Sequence, residues 1–203
     1  MTRRIVVLAS GAGSNLQALI DAVGDGRLDA EIVAVIVNRR SAFALQRAAS
    51  NNIATAFFGL RPYLDDHDDP AQARRRYDAD LAAMVLGYRP DLVVLAGWMH
   101  LFTMGFLEYF PGRVINLHPA LPGEFGGPNA IDDAWNAHLR DGLDRTGVMV
   151  HLVPDEGVDN GPVLATEAVP ITPDDDRESL ESRIHAAEHG LLVRAVADFL
   201  EGL

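Results

Sequence analysis

Arg4-Ile5-Val6-Val7-Leu8-Ala9-Ser10-Gly11-Ala12-Gly13-Ser14-Asn15 is the stretch that decides the fold class. A β-branched apolar run ends at a serine and two glycines. Apolar residues then recur at helical spacing in Leu16, Leu19, Ile20 and Val23. The reading is strand, tight turn, helix. In open α/β sheets ligands bind beyond the carboxyl ends of the strands, where the N–H groups of such a turn converge on an anion. The loop lacks the third glycine of a dinucleotide fingerprint and the Gly-Lys-Ser/Thr ending of a P-loop, so a monophosphate fits it better than a pyrophosphate or triphosphate. A strand-to-helix turn that binds nothing is the competing reading of this loop on its own.

Downstream, the same alternation continues. Residues 31–37 (EIVAVIV), 53–58, 91–96 (DLVVLA) and 114–117 read as further buried strands. Helices are expected from a Ser41 cap through about residue 50 and over 71–87, with an acidic surface loop over 59–70. Apolar strands alternating with amphipathic helices give a mostly parallel, twisted sheet with helices on both faces, a Rossmann-like three-layer α/β sandwich. The pattern then changes. Strands at 147–153 and 162–170 are separated by a link too short for a helical crossover, so the C-terminal part of the sheet is expected to contain an antiparallel pair. A last helix, 176–200, carries acidic residues in its first turn. With 203 residues and 48% hydrophobic content, one domain spanning 1–203 is expected, its anion-binding half over about 1–100 and its catalytic half over about 101–203.

Composition narrows the chemistry. The net charge is −12, which offers no basic field for nucleic acid or an anionic membrane surface. There is no cysteine, which removes disulfides, thiolate nucleophiles and cysteine-ligated metals. All 17 basic residues are arginine, which removes lysine Schiff bases. No run reaches the roughly 18 to 20 apolar residues of a membrane span, and the N-terminus runs straight into a strand rather than a signal peptide, so a cytoplasmic protein is expected.

The chemistry is sought at the end of the fifth strand. Asn116 and His118 stand two apart and project to the same side. An amide donor beside an imidazole suits acyl transfer to an amine, in which an oxyanion develops and the amine loses a proton. Pro119 keeps His118 out of helix. Asp159 lies in a turn flanked by glycines, and a carboxylate near His118 favours the imidazolium and fixes its orientation. Two plainer accounts stand beside this one: a hydrogen-bonded structural histidine, and an Asx turn at Asp159-Asn160-Gly161-Pro162.

Taken together, Ser10-Gly11-x-Gly13-Ser14-Asn15-Leu16-Gln17, Val93-Val94-Leu95-Ala96-Gly97-Trp98-Met99, Ile115-Asn116-Leu117-His118-Pro119-Ala120-Leu121-Pro122, Val150-His151-Leu152-Val153 with Asp159-x-Gly161-Pro162, and Glu188-His189 resemble the phosphoribosylglycinamide formyltransferase family. They occur in the family's order over nearly the whole chain. The resemblance implies that Asn116 and His118 stabilise a tetrahedral intermediate, while Asp159 holds His118 charged and helps position a proton-shuttling water. It implies that Gly11, Ala12, Gly13, Ser14 and Asn15 bind the substrate's ribose-phosphate, with Glu188 reaching the ribose hydroxyls. It further implies a 10-formyltetrahydrofolate co-substrate in an apolar cleft near Leu95, Trp98, Met99, His100, Leu101, Val153 and Asp155, with Arg74 as a cation for the folate tail and no metal. The implied partners are two small molecules, phosphoribosylglycinamide and formyl-folate, bound by a monomer or homodimer.

The sequence departs from the family pattern at His100, where an arginine is common, at His185, where a glutamine is frequent, and over 121–129, which ordinarily borders the substrate. His151 is shared with the family and is expected to be structural support. A transfer-RNA formyltransferase would need a further basic domain, and a formyltetrahydrofolate hydrolase usually has a regulatory domain before the first strand, so neither is the expected reading of a sequence that opens on its first strand. A formyltransferase acting on an amino-sugar nucleotide stays open, as does a binding module without catalysis.

Overall fold

The computed structural model describes residues 2–203. The chain order is β1 (Arg3–Ala9), α1 (Ser14–Gly24), β2 (Ala30–Val37), α2 (Ala44–Ser50), β3 (Thr55–Phe57), α3 (Arg61–Asp66), α4 (Pro70–Gly87), β4 (Leu92–Leu95), α5 (Met104–Leu107), β5 (Val114–His118), α6 (Ala130–Asp141), β6 (Arg145–Leu152), β7 (Val163–Pro170) and α7 (Arg177–Glu201). The strands form one seven-stranded sheet in the order β3-β2-β1-β4-β5-β6-β7.

β1 sits near the middle, parallel to β2 on one side and β4 on the other. Every residue from Ile5 to Ala9 is buried, as a central parallel strand covered on both faces requires. Alternate side chains feed two cores. Ile5, Val7 and Ala9 pack with Leu16 and Leu19 of α1 and with Ile184, Leu192 and Val196 of α7. Val6 and Leu8 face the other way, toward Tyr77, Leu81 and Val85 of α4 and Phe106 of α5. The helices therefore form a layer on each face of the sheet, the three-layer α/β sandwich expected.

β6 alone runs against its neighbours, antiparallel to both β5 and β7. The expected antiparallel pair is present, and the same reversal adds a second one. Its consequence for chemistry is a single row of opposed residues: Leu8 faces Leu95, Leu95 faces Asn116, and Asn116 faces His151. The carboxyl ends of β1, β4 and β5 thus lie side by side at the interstrand spacing of about 4.8 Å.

The structure corrects several sequence expectations. β3 keeps only Thr55–Phe57 of the longer run. The acidic segment expected to be a loop holds the short helix α3, begun by Arg61-Pro62, with no buried side chain to announce it. α2 starts after Phe43 rather than at a Ser41 cap, because the N–H of Ala44 is drawn to the carbonyl of Gly11 at 3.2 Å. α7 begins as expected, on an Asp176 cap whose side chain accepts from the Ser179 N–H at 2.8 Å while the Ser179 hydroxyl accepts from the Asp176 N–H at 3.0 Å. Among the described residues no helix is long and apolar enough to cross a membrane.

Candidate active site

The glycine loop follows β1 directly. Gly13 adopts φ 71° as the residue preceding α1, and a Cβ there would lie 2.8 Å from the Cβ of Ala44, so both conformation and contact demand glycine. Ser10, buried at the strand end, ties this loop to the next one: its N–H donates to Gly97 at 3.0 Å and its hydroxyl accepts from the N–H of Met99 at 2.9 Å. In the first turn of α1 the N–H of Gln17 bonds back to Gly13 at 2.9 Å, while those before it have no earlier helical carbonyl to reach. Across the opening, Asn15 donates to the buried carboxylate of Glu188 at 3.2 Å, and His185 stands 2.8 Å from the same oxygen. That contact with Glu188 raises the proton affinity of His185 against the opposing effect of burial. A cleft of about 410 Å³ beside the loop is lined by Ser14, Gln17, Arg47 and His189 among others, and Nε2 of His189 is buried with no hydrogen-bond partner among the described residues.

Asn116, His118 and Asp159 converge. His118 is 4% exposed, with Nδ1 3.4 Å from Oδ2 of Asp159 and Nε2 2.9 Å from the carbonyl oxygen of Phe125. Both ring nitrogens therefore face acceptors, and only a doubly protonated imidazole can donate to both. Asn116 Nδ2 donates to Oδ1 of Asp159 at 3.2 Å and lies 3.2 Å from Nε2 of His151. Had the amide been turned over, its oxygen would face the carboxylate, so the nitrogen belongs on this side. His151 is held through Nδ1, 2.8 Å from the carbonyl of Leu152, and its Nε2 lies 3.5 Å from Oδ1 of Asp159.

Asp159 reaches this cluster from the β6–β7 connection. It takes φ 50°, a left-handed conformation that aspartate tolerates better than most residues. Its carboxylate bonds to Asn116 and to the N–H of Gly127 at 3.0 Å, both on other segments, so it does more than close its own turn. The glycine after it has a packing cause: a Cβ on Gly161 would lie 1.9 Å from the carbonyl oxygen of Leu152. Burial works against ionisation of Asp159, but the His151 and Gly127 contacts and the nearby His118 outweigh it and hold the carboxyl below the usual range.

The remaining predicted positions form a wall beyond β4. Leu95 and Trp98 are buried in it, Trp98 stacked on Phe102 and Phe102 on Phe106. Met99 and Leu101 are exposed above them, 49% and 59%. His100 lies edge-on to both Trp98 and Tyr77, and burial with the nearby Arg74 and Arg39 lowers its pKa to about 4. It is a neutral ring. Trp98 Nε1 and His100 Nδ1 are buried without a partner among the described residues, two polar atoms a ligand could satisfy. Arg74 does not stand free: its Nε donates to Asp78 at 3.1 Å and its guanidinium to the carbonyl of Leu101. Val153 is anchored through its N–H to Val114 at 2.9 Å, and Asp155 begins the exposed loop opposite.

Sequence reasoning missed the supports. Asp78, fully buried, accepts from the N–H and hydroxyl of Thr103 at 2.7 and 2.8 Å, pinning the wall to α4. Glu156 accepts from the N–H of Met104 at 2.8 Å and ties the Asp159 loop to that wall. Phe125 and Gly127 meet the triad from a segment whose contacts no periodicity announces. The Arg74/Asp78 spacing of one helical turn was the one signal available. Among the described residues no group of three His, Asp or Glu side chains is arranged to hold a metal ion.

Known proteins match this arrangement along its length. The profile of the formyl transferase family matches residues 3–196. A phosphoribosylglycinamide formyltransferase of Schizosaccharomyces pombe is 44% identical over 201 residues, 97% of this chain and 96% of its own. One from Mycobacterium tuberculosis is 44% identical over 195 residues, 96% of this chain and 83% of its own. The crystal structure of glycinamide ribonucleotide transformylase 1 from Symbiobacterium toebii superposes with a TM-score of 0.87 at 36% identity, covering 99% of this chain and 89% of that one. A glycine loop, a strand-end Asn-x-His and a returning aspartate, in a chain matched over nearly its full length, place it in the formyl transferase family, within the phosphoribosylglycinamide formyltransferase branch.

Proposed function

We propose that this chain transfers the formyl group of 10-formyltetrahydrofolate to the amine of phosphoribosylglycinamide, a step of purine biosynthesis. The observation that carries the reading is the double engagement of His118, with Asp159 at Nδ1 and a carbonyl oxygen at Nε2. A formyl oxygen is an acceptor of the same kind as the Phe125 carbonyl, and it becomes a better one as negative charge develops on it.

In this scheme the amine nitrogen attacks the formyl carbon, a C–N bond forms, and the carbonyl electrons move onto oxygen. His118 Nε2 and Asn116 Nδ2 donate to that oxygen, and Asp159 keeps His118 charged. Collapse breaks the bond to N10 of the folate, and the proton lost by the amine is delivered to that leaving nitrogen through a water positioned by Asp159. The glycine loop, with Ser14 and Asn15, holds the phosphate. Glu188, oriented by Asn15 and His185, accepts from the ribose hydroxyls. The wall from Leu95 to Leu101, with Val153 and the loop from Asp155, receives the folate. Arg74 serves it by bracing Leu101, and neutral His100 gives no counter-charge to the tail.

The test is spectroscopic: supply a formyl-folate analogue with phosphoribosylglycinamide and follow appearance of the deformylated folate. Release coupled to formylation of the amine, and absent when the amine is withheld, is expected. Release at the same rate with water alone would make the chain a hydrolase, and release only with an amino-sugar nucleotide would move the acceptor.

A further inference from the structure

The carbonyl groups of the glycine loop show how its N–H groups are aimed. A trans peptide points its carbonyl and its N–H in opposite directions, so whatever holds the carbonyl also sets the N–H of the following residue. Gly11 O accepts from the N–H of Ala44 at 3.2 Å, Ala12 O from Nε of Arg47 at 2.8 Å, and Gly13 O from the N–H of Gln17 at 2.9 Å. Three successive carbonyls are thereby drawn off, and the N–H groups of Ala12, Gly13 and Ser14 face away from those partners. A run of N–H groups with its carbonyls turned out is an anion-binding concavity.

Of these three donors, two are backbone and one is a side chain. Arg47 sits on α2, a separate element from the loop and its helix. Its second contact, from Nη1 to Oε1 of Gln17 at 3.2 Å, and the Phe43 ring 5.0 Å from its guanidinium carbon fix it in place. It also lines the 410 Å³ cleft together with Ser14 and His189, where its charge favours an anion.

We propose that Arg47 is a positioning residue for the substrate's phosphate: it turns the Ala12–Gly13 peptide so that the Gly13 N–H serves the anion, and places a positive charge beside it. The inference rests on the reading that this loop holds the phosphate of the glycinamide substrate. It predicts a defect confined to phosphate recognition.

The test compares Arg47→Met and Arg47→Lys with the unaltered chain, using phosphoribosylglycinamide and its dephosphorylated counterpart, ribosylglycinamide. In Arg47→Met the KM for the phosphorylated substrate rises about tenfold or more, as expected for loss of one charge-assisted contact. The KM for the dephosphorylated substrate and for the folate stay within about twofold, so preference for the phosphate collapses. Arg47→Lys, which keeps a charge and can donate to Ala12 O, restores part of that preference. Affinity for inorganic phosphate, read by isothermal titration, falls in parallel and reports on Arg47 whether or not the glycinamide is the true acceptor. Undiminished phosphate affinity and preference in Arg47→Met overturn the proposal, as does an equal loss for both substrates with a lowered melting temperature, which marks a purely structural residue. Failure of the unaltered chain to formylate the glycinamide, with phosphate affinity still dependent on Arg47, overturns the acceptor and leaves the cradle intact.

Discussion

Oδ2 of Asp159 lies 3.4 Å from Nδ1 of His118, although 41 residues separate them in the chain. Replacing that carboxylate by an amide keeps the shape and removes the negative charge that faces Nδ1 of His118. Asp159→Asn is expected to lower kcat by roughly a hundredfold or more, the scale of a lost acid–base contribution, with an unchanged circular dichroism spectrum. Turnover comparable to the unaltered chain removes Asp159 from the scheme.

The same carboxylate has a signature in acid. Its pKa is depressed in the folded chain, so its stabilising contribution is complete above the unfolded carboxylate value of about 3.9 and is lost as pH falls through the lower folded value. Urea midpoints of the unaltered chain and of Asp159→Asn should differ by a constant amount from pH 7 to about pH 5, and the difference should shrink below about pH 4. A difference that grows with acid would mean the folded carboxyl is protonated more readily, contrary to the contacts described.

Two glycines of one loop should behave differently. At Gly13, φ 71° and the contact with Ala44 make Gly13→Ala cost about 2 kcal/mol or more of stability. At Gly11 a Cβ would meet nothing within 4 Å, so Gly11→Ala should leave the melting temperature nearly unchanged. A raised KM for the phosphorylated substrate in Gly11→Ala then reports on the ligand alone; a large drop in melting temperature there contradicts the packing described.

Asp78 anchors from beneath the wall proposed to receive the folate. Burial raises its pKa, against the Thr103 and Arg74 bonds that favour the charge. Asp78→Ala leaves the Thr103 N–H and Arg74 without their carboxylate, and is expected to cost about 3 kcal/mol in chemical denaturation. It should raise the KM for the folate more than that for the glycinamide. Equal KM effects on both would place Asp78 outside the folate wall's support.

How much of this was legible in the sequence follows from what each element buries. β1 and the glycine loop were readable because a continuous apolar run cannot be anything but a buried strand when a glycine turn and a helical period follow it. Asn116 and His118 were readable as a pair because strand period alone puts them on one face. α6 was not, since its buried residues are the small Ala130, Ala134 and Ala137, which carry little periodic contrast among polar neighbours. α5 is a single turn. The position of Asp159 depends on β6 reversing and on the Gly161–Leu152 approach, neither of which sequence spacing encodes. Likewise Arg47 meets Ala12 only once α2 has packed beside the loop, 35 residues away.

The most direct measurement is a crystal structure of the chain with phosphoribosylglycinamide and a folate analogue whose aldehyde hydrates to a tetrahedral diol. The account predicts a diol oxygen within hydrogen-bond distance of His118 Nε2 and Asn116 Nδ2, in place of the Phe125 carbonyl, with the phosphate on the N–H groups of the glycine loop. A diol held elsewhere while His118 keeps its bond to Phe125, or a phosphate bound away from Ala12 to Asn15, would contradict it.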